Sequence, residues 1–320
     1  MIQTSACRIL GIEHPVVQAG MGGSTNPALV AAVSEAGGLG VLACSWTEPD
    51  SIRAEIADIR SRTKRPFGVN FVLGHAPQDR IDLAIEERVP VISLARGTDP
   101  SEIIGRAHAA GLVAMHQITT VEEARVSLKA GVDVLIAQGR EAGGHVGPHP
   151  LWTLLPQVVD IAGAVPVLAA GGLVAGRDLA AALTMGAAGI YMGTRFQASV
   201  EAPISDQHKA AIVAARDGST VASKMWDMMY GTSWPGVAVR ALRNSLTEKW
   251  AGREAELVMA LPAPKNELEE AHAKKDYTKI EMMTGEGSAR VDSILPAAEI
   301  VRTVIAEAEA ALRNAAKAIA

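Results

Sequence analysis

Eight short apolar runs recur along the chain, each flanked by glycine or proline. They are PVVQAG from residue 15, LGVLAC from 39, PFGVNFVL from 66, VPVISLA from 89, LVAMHQI from 112, DVLIAQG from 133, VPVLAAGG from 165 and AGIYMGT from 188. Their apolar character is nearly continuous and does not alternate. A strand of a parallel sheet, buried on both faces, reads this way. The segments between them, such as NPALVAAVSEAGG, DSIRAEIADIRSRT and TVEEARVSLKAGV, place apolar residues three and four apart, and several close on glycine. That is the period and the stop signal of an amphipathic helix. Strand and helix alternate eight times, at intervals of roughly 20 to 33 residues. Eight units close a parallel sheet into a TIM (β/α)8 barrel with its helices outside. An open doubly wound sheet shares the local pattern, but no GxGxxG follows the first strand. The pattern predicts an α/β protein built as a TIM barrel.

The rhythm stops near residue 217. DGSTVASKMWDMMYGTSWPG has no strand–helix alternation and holds two of the five tryptophans. From ALRNSLTEKWAGREAELVMAL onward the chain is helical and charged, with a polar bridge at PAPKNELEEAHAKKD. The expected organisation is a barrel over 1–216 and a C-terminal helical appendage over 217–295, covering the barrel mouth. A last helix over 296–320 packs back on the barrel.

Composition then narrows the function classes. Apolar residues make up 48% of the chain and charged residues 20%, enough for a large core. A net charge of −5 and only 3% aromatics argue against a nucleic-acid partner. Cys7 and Cys44 lie far apart without metal-ligand spacing and read as reduced, small apolar residues. The N-terminal stretch shows no basic-then-apolar export signal, and no apolar run nears the ~20 residues that span a bilayer. The expected setting is cytoplasmic, with no membrane partner.

Function in such a barrel sits at the C-terminal ends of the strands. Gly171 and Gly172 follow the seventh strand; Gly193 and Thr194 follow the eighth. Glycine lets backbone N–H groups approach an oxyanion closely, and this loop pair is where such barrels seat phosphate. Taken singly, either pair is no more than a tight turn. The loop after the first strand, QAGMGG, brings Met21 and Gly22 to the mouth. Asn70, Gln117 and Gln138 end the third, fifth and sixth strands. Amides suit a heterocycle that presents both donors and acceptors, as a flavin pyrimidine does, although each could simply cap a strand end. No acid pair stands out at the strand ends and no HExxH or GxSxG is present, which disfavours glycosidase, metal and serine-hydrolase chemistry. The loop after the sixth strand reads GREAGGHVGPH, residues 139 to 149. Gly143 and Gly144 would let it approach a ring without a Cβ clash, and His145 would then stand over that ring. A neutral imidazole there can take a proton from a carbon acid or hold a substrate oxygen. Glu141 reads as a brace for the loop and Asp133 as a fold support, and the other histidines have no comparable setting.

QAGMGG, FGVN, AQGREAGGH, AAGG and MGTRF, in this order and spacing, resemble the nitronate monooxygenase family, formerly 2-nitropropane dioxygenases. The resemblance spans essentially the whole chain, and EAGGH is its most specific block. It implies an FMN-dependent oxidoreductase acting on alkyl nitronates or nitroalkanes with O2. His145 matches the family's base, and Met21, Gly22 and Asn70 match flavin contacts. Gln138 matches the position facing the pyrimidine, and Gly171, Gly172, Gly193 and Thr194 match the phosphate cradle. Gln117 departs from relatives that carry lysine there, which leaves open what cation would face a reduced flavin. EAGGH also occurs in FMN-dependent enoyl-acyl-carrier reductases, with a variant in NADH:quinone reductases. An NAD(P)H-dependent reductase of an enoyl thioester or quinone is therefore the second reading, and a non-catalytic phosphate-ligand binder the third. The segment TKIEMMTGEGSAR, 278 to 290, either folds over the mouth or links two helices at the surface. If it folds over, Met283 and Glu286 join Met21, Trp226 and Trp234 around the substrate. An apolar appendage surface would also suit a homodimer.

Overall fold

A computed structural model describes residues 2–97 and 99–318. The barrel strands are β1 (Val16–Gln18), β2 (Gly40–Ala43), β3 (Phe67–Val72), β4 (Val91–Ala95), β5 (Val113–Ile118) and β6 (Val134–Gln138). After β7 (Gly144–Val146), which lies outside the barrel, come β8 (Val167–Ala170) and β9 (Gly189–Met192). All eight barrel strands run parallel in the order β1-β9-β8-β6-β5-β4-β3-β2. The ring closes where Gln18 N donates to Leu39 O at 2.9 Å and Leu39 N to Val16 O at 3.0 Å. All eight apolar runs are therefore strands of one closed TIM barrel.

Their continuous apolar character has a simple cause. Alternate residues face two cores. Val91, Met115, Val134, Ile136 and Leu168 fill the barrel interior, while Ile92, Ala114, Leu135 and Ala169 pack against the outer helices. The inward alternation continues to the top of the strands, where it reaches Asn70, Gln117, Gln138 and Tyr191. The amides thus sit at or near the upper inward ends of their strands. The N-terminal helix Ser5–Leu10 plugs the other end: Ala6, Cys7 and Leu10 join the interior cluster. Thr4 caps it and donates to Ala188 O at 2.6 Å.

The helix Ala297–Ala316 packs on helices Gly176–Thr184 and Pro27–Glu35 and completes the outer layer. It approaches so closely that a Cβ on Gly176 would lie 2.3 Å from Val304 O. Its buried stripe includes Ile300, Val301, Val304 and Ile305, each contributing about 1.5–3 kcal/mol of burial. Among the described residues, no helix is long and apolar enough to cross a membrane.

Beyond 217 the helices Met225–Tyr230, Ser245–Trp250, Glu254–Ala260 and Ala263–Lys274 surround one apolar cluster. This stretch also carries β10 (Thr220–Ser223) and β11 (Ala238–Leu242), which pair antiparallel. β11 pairs in turn with β7, which belongs to the loop after β6. The register sets His145 opposite Val239. Three-residue β7 owes its strand form to this distant partner, so local sequence does not announce it.

Candidate active site

A cavity of about 660 Å³ opens at the C-terminal ends of the barrel strands. That lies within the ~300–1,000 Å³ usual for cofactor and ligand sites. At one side β8 runs into Gly171 and Gly172, with φ of 111° and 71°, and β9 runs into Gly193 and Thr194. These positive φ values belong to glycine territory. The N–H groups of Gly172, Leu173 and Gly193 bond to no protein acceptor among the described residues. Thr194 Oγ1 accepts from Gly285 N at 2.9 Å, leaving its hydroxyl hydrogen to donate. Met21 and Gly22 line the adjoining wall, and Met21 Sδ lies 3.3 Å from where a Gly193 Cβ would be. Unpaired donors beside bare backbone fit a phosphate group.

Amides form the floor. Asn70 donates to Ser93 O at 3.2 Å, and Gln117 and Gln138 line the same space. Tyr191 OH accepts from Gly20 N at 3.0 Å. A flat heterocycle with mixed donors and acceptors fits this lining. Arg96, at the end of β4, joins the floor, and sequence reading had passed it over. Its guanidinium donates to the carbonyl of His145 and reaches Gln138 Oε1 at 3.5 Å. Its backbone sits at φ 63°, with its carbonyl accepting from His116 Nε2 at 2.8 Å. Burial pulls the guanidinium down to about 10, against the pull of Glu123 and Asp227, so it stays charged at neutral pH. Burial likewise lowers His116, which remains a neutral brace.

His145 stands at the cavity's edge. Its Nε2 lies 2.9 Å from Asp227 Oδ1. An ionised carboxylate only accepts, so a ring hydrogen sits on Nε2, and a neutral ring so paired has its lone pair on Nδ1. Asp227 sits on the helix Met225–Tyr230 and is buried. One face of the Trp234 ring meets His145 at 4.3 Å, and Trp234 also stacks on His75 at 3.8 Å and 7°. Glu141 braces the loop as expected, accepting from Leu151 N at 3.0 Å. Asp133 accepts from Ala114 N at 2.8 Å at the opposite end of the barrel, a fold support.

The segment 278–290 folds over the mouth. Ile280, Glu281, Met283 and Gly287 line the cavity, and Glu286 N donates to Glu141 O at 2.9 Å. Gly143 permits this: a Cβ there would lie 2.7 Å from Gly285 N. Gly144, at φ 72°, then turns the chain into β7.

Two expected pocket residues lie elsewhere. Trp226 is fully buried in the appendage cluster with Met229, Val239 and Leu268, because its helix needs a large apolar side chain to pack the small satellite core. Glu286 is not a lining residue; its carboxylate pairs with Arg240 at 2.8 Å and is half exposed. His208, dismissed on sequence, lines the cavity, and desolvation pushes it down to about 4. Arg96, Asp227, His75 and His208 come from four distant parts of the chain, and no spacing links them.

Comparison with known proteins agrees with this geometry. The nitronate monooxygenase family model matches residues 3–78 and 71–307. A (3aS,4S,5R,7aS)-5-hydroxy-7a-methyl-1-oxo-octahydro-1H-indene-4-carboxyl-CoA dehydrogenase of Mycobacterium tuberculosis is 40% identical over 252 residues, 78% of this chain and 68% of that protein. The structure of FabK from Thermotoga maritima superposes with a TM-score of 0.88 at 32% identity, covering 99% of both chains. A nitroalkane oxidase from Streptomyces ansochromogenes gives 0.82 at 31% identity, covering 97% of this chain and 99% of the other. With a family model spanning both halves of the barrel and the mouth-covering segment, the chain belongs to the nitronate monooxygenase family and is an oxidoreductase.

Proposed function

We propose that this protein is an FMN-dependent oxidoreductase of alkyl nitronates and nitroalkanes, with dioxygen as the final electron acceptor. One observation carries the reading: the His145–Asp227 couple stands at the edge of a cavity with unpaired backbone donors on one side and amides on its floor. Gly172, Leu173, Gly193 and Thr194 would hold the FMN phosphate, and Asn70, Gln117 and Gln138 would surround the ring system. Bound FMN supplies the electron acceptance and the reaction with dioxygen. The chain's own residues manage the proton. A nitroalkane α-carbon gives its proton to Nδ1 of His145, the C–H electron pair moves into the nitro group, and a nitronate results. Asp227 stabilises the imidazolium so formed. Trp234 and the 278–290 segment cover the site and keep water away from the carbon acid.

The test is direct. The protein with added FMN should be yellow, and His145→Ala should retain the pigment. That variant should lose use of the neutral nitroalkane about 100-fold or more, the typical contribution of a general base, and use of preformed nitronate far less. Equal small effects on both substrates overturn the role.

A second reading rests on the 40%-identical relative, whose name places its chemistry on a carboxyl-CoA compound. The same imidazole could serve a carbon next to a thioester carbonyl, with a nicotinamide as electron partner. Anaerobic NADH or NADPH decides: rapid bleaching of bound flavin favours this reading, and bleaching by nitronate alone favours the first.

A further inference from the structure

We propose that Arg96 is the cation that stabilises the negative charge of the reduced flavin. This inference rests on the FMN reading above. Arg96 is the one lysine or arginine lining the cavity among the described residues. No carboxylate lies within 4.0 Å of its guanidinium among them, and its acceptors are neutral: the His145 carbonyl and Gln138 Oε1. The other formally charged lining residue, Glu281, is engaged with Tyr230 and His272 on the rim. Glu123 and Asp227 act on this charge only from beyond 4.0 Å, so a largely buried cation whose direct contacts are all neutral is costly to keep, and an anion brought against it from outside the chain would offset that cost.

Its position selects which anion. The guanidinium reaches Gln138, and Arg96 N donates to Gln117 O at 3.4 Å. Arg96 therefore belongs with the amide floor that suits the heterocycle. The free nitrogen of the imidazole, where a carbon acid would give up its proton, lies on another group. The protein also spends backbone strain on this arrangement. A non-glycine residue at φ 63° is rare, and the His116 hydrogen bond to the Arg96 carbonyl holds it there. A delocalised anion that appears only on reduction gains from such a charge, whereas the neutral oxidised ring gains little. This also accounts for Gln117: the positive charge sits one strand away, on β4 instead of β5.

The experiment compares wild type, Arg96→Gln and Arg96→Lys, each loaded with FMN. Fluorescence titration gives the affinity for oxidised FMN, and an anaerobic dye-coupled titration gives the midpoint potential. Oxidised FMN should bind all three within about threefold, since little of its own charge meets Arg96. In Arg96→Gln the preference for reduced over oxidised flavin should fall about tenfold, which is about 30 mV for a two-electron couple. Arg96→Lys should keep the wild-type potential. Should Arg96→Gln not fold, Arg96→Met serves as the neutral variant. An unchanged potential in the neutral variant with flavin still bound overturns the proposal. So does a loss of nitronate affinity without a shift in potential, which assigns the charge to substrate instead. Wild-type protein that fails to bind FMN at all is a distinct result and sinks the cofactor reading itself.

Discussion

Asp227→Asn isolates the role of a carboxylate that touches no substrate. Asparagine has the same shape, so the helix Met225–Tyr230 keeps its packing and the side chain its place. What changes is the hydrogen bond at 2.9 Å from His145 Nε2. With an ionised partner this bond grows stronger once the imidazole takes a proton; with an amide it does not. A hydrogen bond to a charged group is worth about 1.5–3 kcal/mol, and each 1.36 kcal/mol is tenfold in rate. The step that protonates Nδ1 should therefore slow by about 10- to 150-fold. The amide can also present its N–H to Nε2 and favour the other tautomer, which adds to the loss. The assay is kcat/KM with a neutral nitroalkane against the preformed nitronate, at matched FMN content. The neutral substrate should suffer the full loss and the nitronate less than about a third of it on a logarithmic scale. Nitrogen-15 spectra of the ring should show the Nε2–H tautomer in wild type and its loss in the variant. Equal losses with both substrates, or an unchanged tautomer, would refute the reasoning.

Two further outcomes follow from the cavity's construction. Desolvation holds His208 near 4, below the 6.5 of an unhindered imidazole. It stays neutral in the fold between those values while the unfolded chain takes up a proton. Its contribution is thus intact above pH 6.5 and fades as pH falls toward about 4, by about 3 kcal/mol in all. Urea unfolding of cofactor-free protein at pH 7 and 4.5 should show this drop, and His208→Gln should flatten it; identical slopes would discard the explanation. Gly143→Ala should push the 278–290 segment off the mouth, because the new Cβ meets backbone at 2.7 Å and neither loop can yield cheaply. Overpacking of this kind costs about 1–3 kcal/mol. Loss of FMN on dilution should quicken by about tenfold or more, and an unchanged off-rate would show that the loops part without consequence for the cofactor.

The legibility of the molecule divides along a physical line. Patterns that reflect local burial were readable: all eight barrel strands, the helical periods between them and the Gly171–Gly172 turn after β8. A strand between two apolar layers is mostly apolar, and a turn at positive φ favours glycine, so residue type records the environment. Asn70, Gln117 and Gln138 were readable for the same reason, being polar at the upper inward ends of strands. His145 was legible because glycines flank it. The misplaced residues show the reverse. Trp226 looked like a pocket aromatic and is the centre of a satellite core; Glu286 looked like a mouth residue and pairs with Arg240. A tryptophan or a carboxylate suits either setting, so its type records nothing. Arg96, Asp227 and His208 were invisible for another reason. Their chemistry arises from neighbours 49, 82 and 76 positions away in sequence. The chain's local pattern thus determined the barrel and the mouth at which a ligand sits. Only the tertiary structure decided which charges meet there, because charge pairing depends on distances set by the whole fold and leaves no periodic trace along the chain.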